Sequence, residues 1–314
     1  MPTDASTSPE SLTLGVPALE GYRYDGISLA VVGFPIRHSL SPVMHMAALR
    51  EMARKEPDLA SWVYHRIEAA PEHLKKVIEL CGERGFRGLN LTIPHKVEVI
   101  PFLDEVDAGA LRMGAVNTLL FDSRKVRGFN TDGDGMVASV AEGLGRPIRG
   151  EDVVLIGAGG AARAAAVQCL DVGCKSLWVG NRSADRLESL LNNLRSNYPS
   201  AEVHGFLTGC CIPELPAGSL LIQATSVGLK EGDALPVSPQ FLGKMAAVFD
   251  MVYSGDGTRL VRTAKEMGLK ACDGLGMLVH QGAKALELWT GMHVPVERMK
   301  QAVMQAVERK DERS

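Results

Sequence analysis

The chain has 314 residues, 46% apolar and 23% charged, a length and balance that suit two globular domains of ordinary size. Lys and Arg number 34 against 37 Asp and Glu, a net charge of −3, so there is no electrostatic case for a nucleic-acid partner. No apolar run is long enough for a membrane span, and Met1 to Glu10 lack the basic and apolar regions of a secretory signal.

The six cysteines (81, 169, 174, 210, 211, 272) form no C-x-x-C pair, and the eight histidines show no paired ligand spacing. The expectation is free thiols in a reducing cytoplasm and no metal.

Residues 1–22 mix Ser, Thr, Pro and Glu and read as a flexible N-terminal arm. Ile27 to Gly33 is an apolar, β-branched strand pattern, and Ser41-Pro42 opens a helix to about Arg54, with Ser41 as its expected cap. A strand over 62–67, a helix from Pro71 to Glu83 and a strand over 88–93 complete a βαβαβ beginning, which implies a parallel sheet covered by helices. Asn117 to Phe121 and Lys125 to Phe129 read as a hairpin added to that sheet, and a helix follows over 134–144.

A second α/β series begins at Glu151 to Gly157. It continues with a helix over 160–173, a strand over 176–180, a helix over 184–196 and strands over 219–224 and 247–252. The segment from Gly274 to Trp289 has helical spacing and carries Gln281. It is expected to return to the first domain's pocket, because a Gln amid that much apolar surface needs a polar partner.

Gly157, Gly159 and Ala162 fit G-x-G-x-x-G/A between a strand and a helix. Such a turn lets the backbone approach a pyrophosphate, which the helix N-terminus then holds. The alternative is a merely tight βα turn. The next strand ends Val179-Gly180-Asn181-Arg182, with Arg186 one turn on, where an NAD site usually has an acid. Two guanidinium groups suit a 2′-phosphate and favour NADP, although Asp185 lies close by.

Lys96 follows Thr-Ile-Pro-His at a strand's end, and Asp132 lies in Asn-Thr-Asp-Gly at the end of the hairpin. Both fall at the carboxyl ends of sheet elements, where open α/β folds place ligands. Reduction of a ketone needs a proton at oxygen as hydride reaches carbon, and an ammonium beside a carboxylate can supply it. The alternative is a structural ion pair. Ser39 and Ser41 can aim hydroxyls at a carboxylate, while Asn90, Thr92, Asn117 and Gln281 can bond ring hydroxyls.

His38-Ser-Leu-Ser-Pro42, Asn90-Leu-Thr-Ile-Pro-His-Lys96, Gly114-Ala-Val-Asn-Thr118 and Asn130-Thr-Asp-Gly133 closely resemble the shikimate dehydrogenase family. So do Gly157-Ala-Gly-Gly-Ala161, Asn181-Arg-Ser183 and Gly274-Leu-Gly-Met-Leu-Val-His-Gln-Gly282, in the family's order from about Ile27 to Gly291. The resemblance implies reversible NADP-linked reduction of 3-dehydroshikimate to shikimate, in aromatic amino-acid biosynthesis. It implies an α/β fold of two domains, an N-terminal substrate domain and a Rossmann-type NADP-binding domain, with the C-terminal helices returning to the first. The boundaries expected are 23–133 plus 274–314 for the substrate domain and 134–273 for the NADP-binding domain.

By position, the resemblance makes Lys96 and Asp132 the catalytic pair. Ser39 and Ser41 would hold the substrate carboxylate, with Tyr253 near it, and Asn90, Thr92, Asn117 and Gln281 the hydroxyls. Gly157, Ala158, Gly159, Gly160 and Ala161, with Asn181, Arg182 and Arg186, would hold NADP(H), and Thr225 and Met277 would lie near the nicotinamide. The chain departs from the family at Ser254-Gly255, where Asn-Pro is common, and at Met46, where Asn is frequent. The partner implied is a small molecule, with no nucleic acid and no membrane, on a monomer or homodimer. The rival readings are a quinate or quinate/shikimate dehydrogenase using NAD or both cofactors, and a non-catalytic NADP-binding sensor.

Overall fold

The structure is a computed structural model that describes residues 10–122, 125–209, 213–230, 232–254 and 257–311. It divides into two compact units, one comprising 1–111, 115–131 and 282–314 and the other 112–114 and 132–281.

The first unit opens with β1 (Thr13–Gly15) and α1 (Val16–Glu20), in the segment expected to be a loose arm. That expectation is corrected for residues 10–22; residues 1–9 lie outside the described residues. β1 pairs in parallel with β3 (Trp62–Glu68), and Leu14, Leu19 and Tyr22 are buried. Burial of such side chains contributes roughly 2 kcal/mol apiece, which helps offset the entropy of ordering the segment. A polar composition hid three well-spaced anchors.

β2 (Ile27–Gly33) and β4 (Phe86–Leu91) flank one another in parallel and are almost wholly buried. Such strands carry continuous apolar runs because helices cover both faces. α2 (Ser41–Met52) and α3 (Leu74–Glu83) supply the cover. α3 buries Leu74, Val77, Ile78 and Cys81, the i, i+3, i+4, i+7 stripe of an amphipathic helix. Ser41 is the first residue of α2 rather than its cap, and no side chain caps that helix.

After β4 come α4 (His95–Glu98), β5 (Glu105–Val106) and α5 (Ala108–Met113). The hairpin strands β6 (Thr118–Asp122) and β7 (Lys125–Phe129) follow, the first one residue later than expected. Among the described residues the sheet runs β1-β3-β2-β4-β6-β7-β5, with the hairpin joined antiparallel to β4.

The second unit begins with α6 (Asp132–Leu144), two residues earlier than expected. Then come β8 (Asp152–Ile156), α7 (Gly160–Asp171), β9 (Ser176–Asn181), α8 (Ala184–Asn197) and β10 (Val203–Leu207). β11 (Ser219–Gln223), α9 (Pro239–Leu242), β12 (Met245–Asp250), α10 (Arg259–Glu266) and β13 (Lys270–Cys272) complete the sheet. Its order, β10-β9-β8-β11-β12-β13, is parallel throughout, and the order reverses between β8 and β11. In doubly wound sheets ligands bind at that reversal.

α11 (Leu275–Thr290) starts in the second unit and ends in the first, and α12 (Val296–Asp311) follows in the first. Trp289 lies across the first sheet, its Nε1 donating to Leu119 O at 2.8 Å. The approach needs Gly88, where a Cβ would lie 2.0 Å from that nitrogen. The units divide at Thr131/Asp132 and Gln281/Gly282, so α6 and the first half of α11 group with the dinucleotide unit, and both helices pack tightly there.

Candidate active site

In the first unit, the turns after β2 and β4 are tied to each other. Thr92 N donates to Val32 O at 3.0 Å, and Phe34 N to Ile93 O at 3.1 Å. Gly33 is required there, because a Cβ would lie 2.5 Å from Thr92 Cγ2. Two cis peptides, Phe34-Pro35 and Ile93-Pro94, lie in these turns. In the first turn Ser39 Oγ accepts from Ser41 N at 3.3 Å. Arg66, on β3, donates from Nε and Nη2 to Ser39 O at 3.2 and 2.7 Å.

Behind the turns lies a buried run of polar side chains. Tyr64 reaches over β2 and donates to Asn90 Oδ1 at 2.7 Å. Asn90 Nδ2 donates to Thr118 Oγ1 at 3.1 Å and Asn117 O at 3.3 Å. Thr118 donates to Asn117 Oδ1 at 2.9 Å, and Asn117 Nδ2 donates to Thr131 Oγ1 at 3.0 Å. His45 stacks on Tyr64 with ring centroids 4.1 Å apart, and burial pushes its pKa down to about 4. Burying these amides without partners would be costly, and each finds one.

Lys96 sits half-buried in α4. Its carbonyl accepts from Val116 N at 2.7 Å, and the buried His95 ring holds Ala69 O through Nε2 at 2.9 Å. Because Ala69 O can only accept, Nε2 carries the proton. α4 is thus anchored on both sides of the lysine. Asn130 Nδ2 donates to Ala115 O at 2.9 Å, and Thr131 N to Asn117 Oδ1 at 2.8 Å. Those bonds fix the chain just before Asp132.

In the second unit, Asp132 is the first residue of α6, where the helix dipole favours a carboxylate. Three residues on, a Cβ at Gly135 would lie 2.8 Å from Gln281 Cβ and 2.9 Å from Met277 O. Asp132 and Gly135 share a helical face. Gln281 is 9% exposed and donates from Nε2 to Leu278 O at 2.8 Å. The polar partner expected for it includes its own helix.

The glycine turn stands at the sheet's reversal. Gly157 has φ 125°, and a Cβ there would lie 2.9 Å from Ala224 O and 3.3 Å from Ala162 Cβ. Only glycine suits both the dihedral and the space. Gly159 and Gly160 are exposed, open to at least 4 Å at the Cβ position, and no side chain caps α7. Ala158 is buried and Ala161 exposed. The uncapped N–H groups of a twelve-residue helix and this open backbone fit a pyrophosphate.

Asn181 folds onto the turn, donating to Ser183 O at 2.9 Å, and Ser183 caps α8. Arg182 and Arg186 are exposed, and no carboxylate pairs with either among the described residues. Thr225 follows β11, its amide donating to Gln223 Oε1, and its Oγ1 accepts from Val227 N at 3.1 Å. Tyr253 is 38% exposed, and Met277 is partly buried against the core of its unit.

Four polar side chains escaped the sequence reading. Tyr64 and Arg66 sit inside β3, where a strand pattern gives no sign of their partners. Gln223 and Asp250 end β11 and β12, both buried, with Gln223 Nε2 3.3 Å from Asp250 Oδ1. Thr258 Oγ1 donates to Asp250 Oδ2 at 2.6 Å, and burial pushes the carboxyl up to about 6. A charged residue closing an apolar strand was the available signal.

Comparison with known proteins agrees with this geometry. Residues 31–119 match the shikimate dehydrogenase substrate binding domain, and residues 274–304 the shikimate 5′-dehydrogenase C-terminal domain. A shikimate dehydrogenase (NADP(+)) of Methanopyrus kandleri is 38% identical over 280 residues, 88% of this chain and 94% of that protein. The Thermus thermophilus shikimate 5-dehydrogenase, solved with NADP(H) and shikimate, superposes with a TM-score of 0.76 at 34% identity, covering 89% of this chain and 99% of that one. Quinate dehydrogenase from Corynebacterium glutamicum, solved with NAD, gives 0.79 at 29%, covering 89% and 99%. The chain belongs to the shikimate dehydrogenase family.

Proposed function

We propose that this chain catalyses the reversible, NADP-dependent reduction of 3-dehydroshikimate to shikimate, a step of aromatic amino-acid biosynthesis. The observation that carries the reading is that a family member with an open glycine turn also has both Lys96, anchored in α4, and Asp132, at the head of α6. Its setting would be the cytoplasm, as a monomer or homodimer. No helix among the described residues is long and apolar enough to cross a membrane.

When bound, NADPH supplies the hydride. The 157–161 turn and the start of α7 hold its pyrophosphate, and Asn181, Arg182 and Arg186 surround the 2′-phosphate. Thr225 and Met277 border the nicotinamide. Ser39 and Ser41 orient the substrate carboxylate, with Tyr253 beside it, and Asn90, Thr92, Asn117 and Gln281 orient the ring hydroxyls. The Lys96–Asp132 dyad gives a proton to the substrate oxygen in reduction and takes it back in oxidation.

The test is to follow NADP and NAD reduction by purified protein with shikimate and with quinate separately. NADP reduction with shikimate, well above the other three combinations, is expected. Activity with neither acid overturns the reading. A preference for quinate with NAD points to the quinate dehydrogenase branch, which the two unpaired arginines at the end of β9 argue against.

A further inference from the structure

We infer that Arg66, on β3, is a positioning residue that holds the Ser39–Ser41 turn in the shape a substrate carboxylate requires. The inference rests on the reading of Ser39 and Ser41 as the carboxylate's seat.

Alternation puts Tyr64 and Arg66 on the same side of the strand, while His65 and Ile67 face the other. The Arg66 side chain ends on the turn that carries Ser39 and Ser41. Arg66 closes a fork on the carbonyl of Ser39, and Ser39 Oγ in turn receives Ser41 N. A guanidinium fork fixes direction as well as distance, which a single donor cannot do. Arg66 is only partly exposed, and no carboxylate pairs with it among the described residues. Its charge is therefore met only by a neutral carbonyl, beneath the turn where an anionic group would bind.

Tyr64, on the same face, serves the buried network rather than the turn. It donates to Asn90 Oδ1 at 2.7 Å, and the Asn90 amide hydrogens point to Asn117 O and Thr118 Oγ1.

The test is steady-state kinetics on Arg66→Met, Arg66→Lys, Ser39→Ala and the double variant Arg66→Met/Ser39→Ala, each checked for a cooperative thermal melt. Arg66→Met is expected to raise KM for shikimate roughly 10- to 100-fold, with kcat and KM for NADP changed less than about threefold. Arg66→Lys keeps the charge but not the fork, and should stay at least about fivefold above wild type.

Because Arg66 acts through Ser39, the double variant should cost clearly less than the product of the two single effects. A wild-type KM for both Arg66→Met and Arg66→Lys overturns the inference, and so does full multiplicativity in the double variant. Equal losses toward shikimate and NADP would also overturn it, as a general structural defect. If Ser39→Ala alone leaves KM unchanged, the carboxylate seat itself has been misplaced, a separate failure.

Discussion

The two units prepare for ligands in opposite ways. In the first, Tyr64, Asn90, Asn117, Thr118 and Thr131 are buried and bonded to one another, so their orientations are set by side chains. In the second, the nucleotide turn is backbone left bare by glycine, with Arg182 and Arg186 exposed beside it. A hydroxylated ring must be told from near isosteres, and buried directional groups reject a mismatch strongly. A dinucleotide phosphate is a concentrated charge that N–H groups and flexible guanidinium groups can hold without such rigidity. Selectivity for the acid and selectivity for the cofactor should therefore be separable by mutation.

The largest expected effect is on chemistry alone. Lys96→Ala should lower kcat by about 10²- to 10⁴-fold while the dissociation constant for NADPH moves less than about twofold. Parallel loss of turnover and NADPH binding, read by fluorescence titration, would make Lys96 structural and blur the contrast between units. The second effect belongs to the cofactor side. Arg182→Ala combined with Arg186→Ala should raise KM for NADP by roughly 10- to 100-fold and leave KM for NAD and for shikimate nearly unchanged. If NAD suffers equally, these arginines do not read the 2′-phosphate.

The smallest effect is on stability, and it divides the units by sign. His65 is buried in the first unit, and burial pushes its pKa from 6.5 down to about 4. Leu12 N donates to its Nδ1 at 3.0 Å, so a proton there would displace the N-terminal segment. Its folded pKa is depressed, so the stability it contributes is present above pH 6.5 and lost as pH falls through 4, about 3 kcal/mol in all. Asp250, in the second unit, is raised from 3.8 to about 6. Its contribution is present below pH 3.8 and lost as pH rises through 6, again about 3 kcal/mol. Urea unfolding at pH 4.5, 5.5 and 7 should show Asp250→Asn gaining on wild type as pH rises, and His65→Phe gaining as pH falls. Identical pH profiles for both variants would remove this contrast.

The sequence disclosed these regions unequally. The glycine turn was legible because its determinants are contiguous, with Gly157 where a Cβ would strike Ala224 and a strand and helix on either side. The main strands and helices were legible for the same reason, since burial repeats at a fixed period along each element. The substrate side was legible as a set of polar residues, but not as a network. Tyr64 meets Asn90 across 26 positions and Arg66 meets Ser39 across 27. No local pattern encodes partners so far apart. Residues 10–22 were misread for a related cause, because three apolar anchors among polar neighbours have meaning only once β3 and α3 are in place.

That short N-terminal strand also bears on self-association. β3 has β2 on one side, and without β1 its other edge would present unpaired N–H and C=O groups along a nearly buried, β-branched strand. Such an edge is a template for pairing with a second copy. Three residues of β1 close its C-terminal part, Arg66 to Glu68, and at that length β1 offers little edge of its own. Arg66 N donates to Leu12 O at 2.8 Å and His65 receives Leu12 N, so the closure continues one residue beyond the strand. A segment with no place in the chemistry thus shortens the stretch of the first sheet that could serve as a template for pairing.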